Sequence, residues 1–238
     1  EMCIRDRLMM FYRAPGELES ELAEMDECMP HYYKITGSHG QGAETIMHAE
    51  AAFMQGRFTD AHIALERAYA QIEGNGQENM ALCCDFLARR LSLFTDIGQR
   101  AKLEKRRERL LAHHNVSWLN LWNAAAAYHH ALLGSTDSIP EAYRRHRLFT
   151  VRTLAPGKPM IEMIENQVYL AQGEYAHVIG RSEGLLTQCE AMHYALVALH
   201  IRLQTAAAYE MLGKRETADE LLISALAAAE PDALYLPF

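Results

Sequence analysis

Five glycines recur along this chain at an almost constant interval. The steps between them are 42, 36, 39 and 40 residues, which lie in the range of helical-hairpin repeats. Such regularity is unusual for an ordinary globular domain. We therefore expect an all-α fold, an α-solenoid of stacked antiparallel helical hairpins resembling a tetratricopeptide superhelix, with about eleven helices. The expected turn glycines are Gly56, Gly98, Gly134, Gly173 and Gly213.

The residues that follow the first and last of these glycines also repeat. Ala61 and Ala218 stand five places after Gly56 and Gly213, and a leucine stands nine places after each. A glycine just past a helix accepts the left-handed conformation that ends it. A small residue at the fifth place then lets the second helix approach the first closely, and the larger apolar residues fill the seam. The pattern is weaker around the three middle glycines.

This spacing predicts one leading helix over residues 17–33 and five complete hairpins after it. A break at 155–159, with two Pro and one Gly, is expected to be a turn between repeats, because the glycine interval continues across it. The hairpins are expected at 43–55 with 59–73, 79–95 with 100–113, 118–133 with 140–151, 161–172 with 176–189, and 193–212 with 216–229.

The domain organisation follows from the same pattern. Residues 8–238 are expected to form a single repeat domain, since no linker interrupts the glycine interval. Residues 1–7 fit nothing that follows them, and we expect them to be a non-native leader. Because the repeat continues to both ends, we expect the chain to be a fragment of a longer protein.

Composition limits the class of protein. Apolar residues make up 50 % and charged residues 23 % of the chain, which is ordinary for a globular protein. No apolar run reaches the roughly 18 residues that a membrane-spanning helix needs, and no signal peptide is evident. Five cysteines without a disulfide framework indicate reduced thiols and a cytoplasmic protein. The net charge of −8 gives no general attraction to nucleic acid.

Few residues suggest catalytic or metal chemistry. Glu190 and His193 have the E-x-x-H spacing of di-iron helix bundles, but no second copy accompanies them. The adjacent histidines at 113–114 and 129–130, and the cysteines at 83–84, point to different faces of a helix, which is poor ligand geometry. No phosphate-binding glycine loop and no G-x-S-x-G motif occurs. We expect a non-enzyme without catalytic, cofactor or metal residues; a helical enzyme with His and Glu metal ligands is the alternative.

The last third of the chain resembles a known family. Residues 165–238, which contain A-A-A-Y-E-x-L-G-K-R-E-x-A and end in Y-L-P-F, are similar to the tetratricopeptide-like region of large, MalT-like transcriptional regulators of the LuxR type. Residues 47–70 resemble an earlier repeat of that region. The resemblance implies a cytoplasmic sensor that binds an effector small molecule or a partner protein and couples it to transcription.

The resemblance also implies modules that are not found in this chain. In that family ATP is bound by an N-terminal domain, and DNA is bound by a C-terminal helix-turn-helix. We therefore expect no cofactor in this chain, no membrane contact, DNA binding only through another part of the protein, and possible self-association. The alternative is a freestanding tetratricopeptide-type adaptor for protein–protein interaction.

A geometric rule selects the residues expected to contact a ligand. In tetratricopeptide-like hairpins the first helix lines the concave face, and the position six places before each turn glycine should point into it. The predicted groove contacts are Tyr128 and Gln167, which the rule selects, and Glu210 from the last hairpin. The alternative is that these three are only solvated side chains of the groove. The rule selects Glu50, Ser92, Tyr128, Gln167 and Ala207.

Overall fold

The structure is a computed structural model that describes residues 12–37, 40–72, 77–95, 100–114, 116–147 and 157–237, without the side chains of 100 and 101. These ranges contain eleven α-helices and no β-strand. The helices are α1 (Leu18–Thr36), α2 (Ala43–Met54), α3 (Phe58–Ile72), α4 (Glu78–Leu91), α5 (Arg100–Ala112), α6 (Val116–Leu132), α7 (Glu141–Arg144), α8 (Lys158–Ala171), α9 (Tyr175–Met192), α10 (Ala195–Met211) and α11 (Arg215–Ala229).

The helices pack as a hairpin array. The first helices of the five hairpins, α2, α4, α6, α8 and α10, contact one another in chain order and form an inner row. Three of the second helices, α3, α9 and α11, pack against the first helix of their own hairpin. Ala61 and Ala218 are buried where the paired helices meet, so the small residue five places after the glycine lies in the seam. The expected all-α solenoid is confirmed.

Four of the five periodic glycines lie in left-handed turns. Gly56, Gly134, Gly173 and Gly213 have φ values of 74°, 67°, 78° and 73°, and each follows the end of an inner-row helix. At Gly56, Gly134 and Gly213 an added Cβ would meet nothing within 4 Å. The backbone conformation, not a lack of space, is therefore what requires glycine there. Gly98 lies outside the described residues.

Replacing Gly213 by Ala is expected to lower the free energy of unfolding by about 1 kcal/mol, because Ala would adopt φ near 73° with a clash of its own Cβ. Gly184 is the matched control, since it lies within α9 and its Cβ would also meet nothing within 4 Å. Gly184→Ala should raise stability by about 0.5–1 kcal/mol. Urea unfolding of both variants measures the effects, and equal effects of the same sign would contradict the turn interpretation.

The third hairpin differs from its prediction. Its second helix was expected over 140–151, but α7 contains only four residues and is followed by His146 with φ 51°. The helix ends because α8 supplies competing contacts. The His146 ring stacks on Tyr169 at 3.7 Å between centroids, and Gln172 Nε2 donates to the carbonyl oxygen of Arg144 at 3.0 Å. The rest of that expected helix, 148–151, and residues 155–156 of the break lie outside the described residues.

Helix α5 is joined to α4 by ion pairs. Among its described side chains, only Leu103 and Leu110 are buried hydrophobic residues. Arg106 pairs with Asp85 and, at 2.9 Å, with Glu78, both on α4. The side chain of Asp85 is only 1 % exposed. The ion pair with Arg106 therefore holds α5 against α4 through a buried contact.

The two ends of the array meet. Asp232, just after α11, accepts hydrogen bonds from Tyr12 Oη at 2.5 Å and from the backbone N–H groups of Gly16 at 2.6 Å and Leu18 at 3.3 Å. A carboxylate from the last repeat therefore caps the first turn of α1. The Leu236 N–H donates to the Met54 carbonyl oxygen at the end of α2, at 3.0 Å. The array is thus curled into a closed ring.

Candidate functional site

The closed ring surrounds a cavity of about 970 Å³, called here the central cavity. All five inner-row helices contribute to its wall, together with α11 and the segment that follows it. The volume is at the upper end of the range for small-molecule sites. Its apolar lining includes Phe53, Phe94, Leu132, Leu170, Leu203 and Leu222. Leu222 on α11 is 38 % exposed, and Phe94 and Leu133 are 53 % and 55 % exposed, so the cavity is open to solvent beside these residues.

Three buried polar residues lie in this apolar wall. Arg90 on α4 is 4 % exposed, and His200 and Gln204 on α10 are 7 % and 5 % exposed. Each has a buried polar atom without a hydrogen-bond partner among the described residues: Nε and Nη1 of Arg90, Nε2 of His200 and Oε1 of Gln204. Buried polar groups without a partner are rare in proteins and call for an explanation. We call these three residues the polar floor.

Arg90 is held in one orientation by its surroundings. Its Nη2 donates to the Glu50 carboxylate at 2.5 Å, in an ion pair whose side chains are 5 % and 1 % exposed. The guanidinium lies 4.3 Å from the Phe86 ring centroid and 5.2 Å from that of Phe53. Charge pairing and stacking therefore fix the group, and two of its nitrogens have no partner in the part of the chain that the structure describes.

The other two floor residues share helix α10. Gln204 Nε2 donates to the carbonyl oxygen of Met163 at 3.0 Å and to Gln167 Oε1 at 3.2 Å, so its own oxygen is left as an acceptor. Burial, and next the positive charge of Arg90, lower the pKa of His200 to about 3. The imidazole is therefore neutral at physiological pH and offers one donor and one acceptor nitrogen.

This pKa makes stability depend on pH. Below the ordinary His pKa of 6.5 the unfolded chain binds a proton that the native His200 refuses until about pH 3. Native stability is therefore expected to fall by up to about 1.4 kcal/mol per pH unit as the pH drops through this window.

The neutral variant His200→Gln should lose that slope, as urea unfolding between about pH 6.5 and about pH 4.5 would show. The exposed His31 provides the control, because His31→Gln should unfold with the wild-type slope. Equal slopes for wild type and His200→Gln would contradict the assigned pKa.

The three predicted contact residues all line the central cavity. Tyr128 is 5 % exposed and packs with its ring centroid 5.7 Å from that of Phe86. Gln167 joins the hydrogen bonds of Gln204. Glu210 is half-exposed and pairs with Arg215 at 3.1 Å. The structure therefore brings the three together, and their contact with a ligand stays a prediction.

The rule of six places selected the other positions less well. Ala207 lines the cavity, but Glu50 is not among the lining residues and is instead buried against Arg90. Ser92 is exposed, and its hydroxyl donates to the carbonyl oxygen of Arg89 at 2.8 Å. Ser92 follows the end of α4, where the chain has left the inner row, so counting back from Gly98 no longer selects a groove position.

The polar floor was missed at the level of sequence. Arg90 and His200 lie eight and thirteen places before their glycines, so no common offset connects them. The available signal was composition, since Arg90 stands in the mostly apolar A-L-C-C-D-F-L-A-R-R-L and His200 in A-L-V-A-L-H-I. A polar residue in such a helix is more often a satisfied core residue, and the sequence does not show which of its atoms lack a partner after folding.

The remaining candidates show structural roles. His193 ends α9 with φ 56°, and it lines, with Glu190, a smaller cavity of about 380 Å³. His114 has a similar φ of 51° after α5. Cysteines 28, 83, 84 and 189 form no disulfide. Within the described ranges no three His, Cys, Asp or Glu side chains are grouped to hold a metal ion. No helix there has both the length and the apolar character of a bilayer span.

Comparison with known proteins adds no relative. No protein-family model matches this chain, and neither a characterised protein nor a solved structure matches it significantly. The central cavity therefore has to be interpreted from its own residues.

Proposed function

We propose that this chain is the sensor domain of a regulatory protein and that a small effector binds in the central cavity. One observation carries the proposal: three residues that line a large apolar cavity, which every hairpin of the array helps to form, have buried polar atoms without partners among the described residues. A ligand there would supply the missing partners and would touch helices from both ends of the chain. A non-catalytic role agrees with this arrangement.

The mechanism we propose is a ligand-biased conformational equilibrium. An effector that contacts α2 and α4 on one side and α10 and α11 on the other would favour the closed ring over more open arrangements. The energy available for signalling is the difference between its affinities for the two states. The resemblance to MalT-like regulators of the LuxR type supports a link to transcription, with cytoplasmic location, and with ATP and DNA bound by other parts of the protein.

Blocking the cavity tests the binding step. The exposed Ala207 lines the cavity, so Ala207→Trp should fill it, whereas Ala112→Trp on the exposed end of α5 should not. The neutral dye N-phenyl-1-naphthylamine should bind the wild type and Ala112→Trp with one-to-one stoichiometry. Its affinity for Ala207→Trp should be lower by more than about tenfold, a loss of at least about 1.4 kcal/mol. Equal binding by all three proteins would reject the cavity as the site.

Substitution of the predicted contacts provides a second test. Gln167→Leu and Glu210→Gln should change the affinity for the effector without lowering the melting temperature. Tyr128 is unsuitable for this purpose because it belongs to the buried core, where truncation costs several kcal/mol in itself. If melting temperature falls in the first two variants while binding is unchanged, the groove assignment is wrong.

The continuous gene distinguishes a regulator from a freestanding adaptor. A phosphate-binding loop encoded upstream and a helix-turn-helix encoded downstream would support the transcriptional regulator. Stop codons in both places would reject it and leave the adaptor. Neither result depends on the dye experiment, so ligand binding and the link to transcription are tested separately.

A further inference from the structure

We propose that the ligand of the central cavity is an amphiphilic carboxylic acid. Its carboxylate would accept hydrogen bonds from the polar floor, and its apolar body would lie along the leucine and phenylalanine side chains of the wall. The inference rests on the proposed function, because it names the class of molecule that the same cavity takes.

Arg90 supplies the donors for the carboxylate. Its Nη1 and Nε are buried and have no partner among the described residues, although its Nη2 is paired with Glu50. The guanidinium is already oriented by Glu50 and by the rings of Phe53 and Phe86, so a ligand need not order it. A carboxylate oxygen at Nη1 would form a charge-assisted hydrogen bond, roughly twice as strong as a neutral one.

His200 extends this donor group across the cavity. Its Nε2 is buried without a partner, and its neutral ring donates a hydrogen bond in the Nε2–H tautomer. Because Arg90 is on α4 and His200 on α10, a carboxylate between them would join two helices of the inner row that are far apart in the sequence. Gln204 Oε1, also without a partner, remains to accept from a hydroxyl or amide group near the carboxylate.

The electrostatic field at the floor has the sign that an anion requires. The positive charge of Arg90 lowers the pKa of His200 and opposes the rise in the pKa of Tyr128 that burial causes. The charge of Arg90 therefore acts on both rings although Arg90 is paired with Glu50. A carboxylate would be attracted by this charge, whereas a neutral group would gain hydrogen bonds without that attraction.

The rest of the cavity wall is apolar and favours a ligand with a hydrocarbon body. Phe94, Leu132, Leu170 and Leu203 come from different parts of the array and provide a continuous apolar wall. Burying an alkyl or aromatic body against it contributes about 25 cal/mol per Å². A polyol would place most of its hydroxyl groups against side chains that cannot accept or donate, at a cost for each group left unpaired.

Decanoate and decanamide test the proposal, because they share one alkyl chain and differ in charge. In isothermal titration calorimetry the wild type should bind one equivalent of decanoate at least about tenfold more tightly than decanamide. The double variant Glu50→Met with Arg90→Met removes both charges of the ion pair together, so that neither stays buried without its oppositely charged partner. It should lose the preference for decanoate. Lys158→Met, which removes an exposed cation outside the cavity, should keep it.

Each result has one meaning. Equal affinity of the wild type for the two ligands, no binding of decanoate, or a preference that persists in the double variant would overturn the carboxylate assignment. The same holds if Ala207→Trp binds decanoate as well as the wild type does. These results leave the proposed function standing if the neutral dye still binds the cavity. Failure of the wild type to bind the neutral dye, in contrast, would reject the proposed function itself.

Discussion

Replacing Arg90 by Met should lower the free energy of unfolding by about 3–5 kcal/mol. The substitution removes the guanidinium with which Glu50 forms an ion pair, and both side chains are at most 5 % exposed. Water cannot reach the carboxylate to replace the lost charge. The cost is therefore that of leaving a buried carboxylate without its cationic partner rather than the net value of the pair. Urea unfolding at neutral pH measures it.

The double variant separates these two quantities. Glu50→Met with Arg90→Met replaces the pair by two apolar side chains of similar size, so it should recover most of the stability that Arg90→Met loses. Arg215 is the matched control, because its pair with Glu210 has side chains that are 81 % and 46 % exposed. Arg215→Met should change stability by less than about 1 kcal/mol. A double variant as unstable as Arg90→Met would contradict the interpretation.

Replacing Asp232 by Asn should lower the free energy of unfolding by about 2 kcal/mol. The carboxylate accepts hydrogen bonds from Tyr12, Gly16 and Leu18, and an amide has one oxygen and no charge with which to replace it. The negative charge also lies at the N-terminus of α1, where the helix dipole favours it. The ring should therefore open more readily at this junction.

Hydrogen exchange locates this effect. The N–H groups of Leu236 and Ala195 donate across the junction to Met54 and Tyr12, and both should exchange faster in Asp232→Asn. Amides inside α6, on the far side of the array, should keep their protection unless the whole domain is destabilised. Asp137→Asn, at an exposed position, should alter neither stability nor exchange. Unchanged exchange at Leu236 in Asp232→Asn would show that Asp232 does not hold the ring closed.

Closure of the ring connects stability with the proposed function. Asp232 joins the two ends of the array, and the polar floor is shared by α4 and α10, two helices of the same ring that are far apart in the sequence. A ligand at the floor would add contacts between elements that the Asp232 junction already brings together. Variants that weaken the junction are therefore expected to weaken effector binding as well, because part of the binding energy would be used to close the ring.

The repeats could be predicted from local sequence because the physics that produces them is local. A left-handed turn at Gly56 and again at Gly213 requires glycine whatever surrounds it, and a close helix pair requires a small residue such as Ala61 at its seam. These constraints act over a few residues and recur in each hairpin. The third hairpin departs from the pattern because His146 contacts Gln172, which lies 26 residues later in the chain. A rule based on neighbouring residues does not include such a contact.

The site could be predicted only in part. The offset from the turn glycine placed Tyr128, Gln167 and Glu210 on the cavity wall, because it counts helical turns within one element. The offset failed for Ser92, which follows the end of its helix. It carried no information on Arg90 or His200, whose importance depends on which of their atoms lack a partner after folding.

Local sequence is sufficient to specify an array of helical hairpins, since glycine spacing, small seam residues and helical periodicity are properties of neighbouring residues. Closure of the array, in contrast, depends on a long-range contact, because the cap on α1 comes from Asp232, 216 residues after Gly16. The tertiary structure also decides what the central cavity contains. The burial and the hydrogen bonds of a cavity residue depend on neighbours from several repeats, and these neighbours come together only when the chain folds.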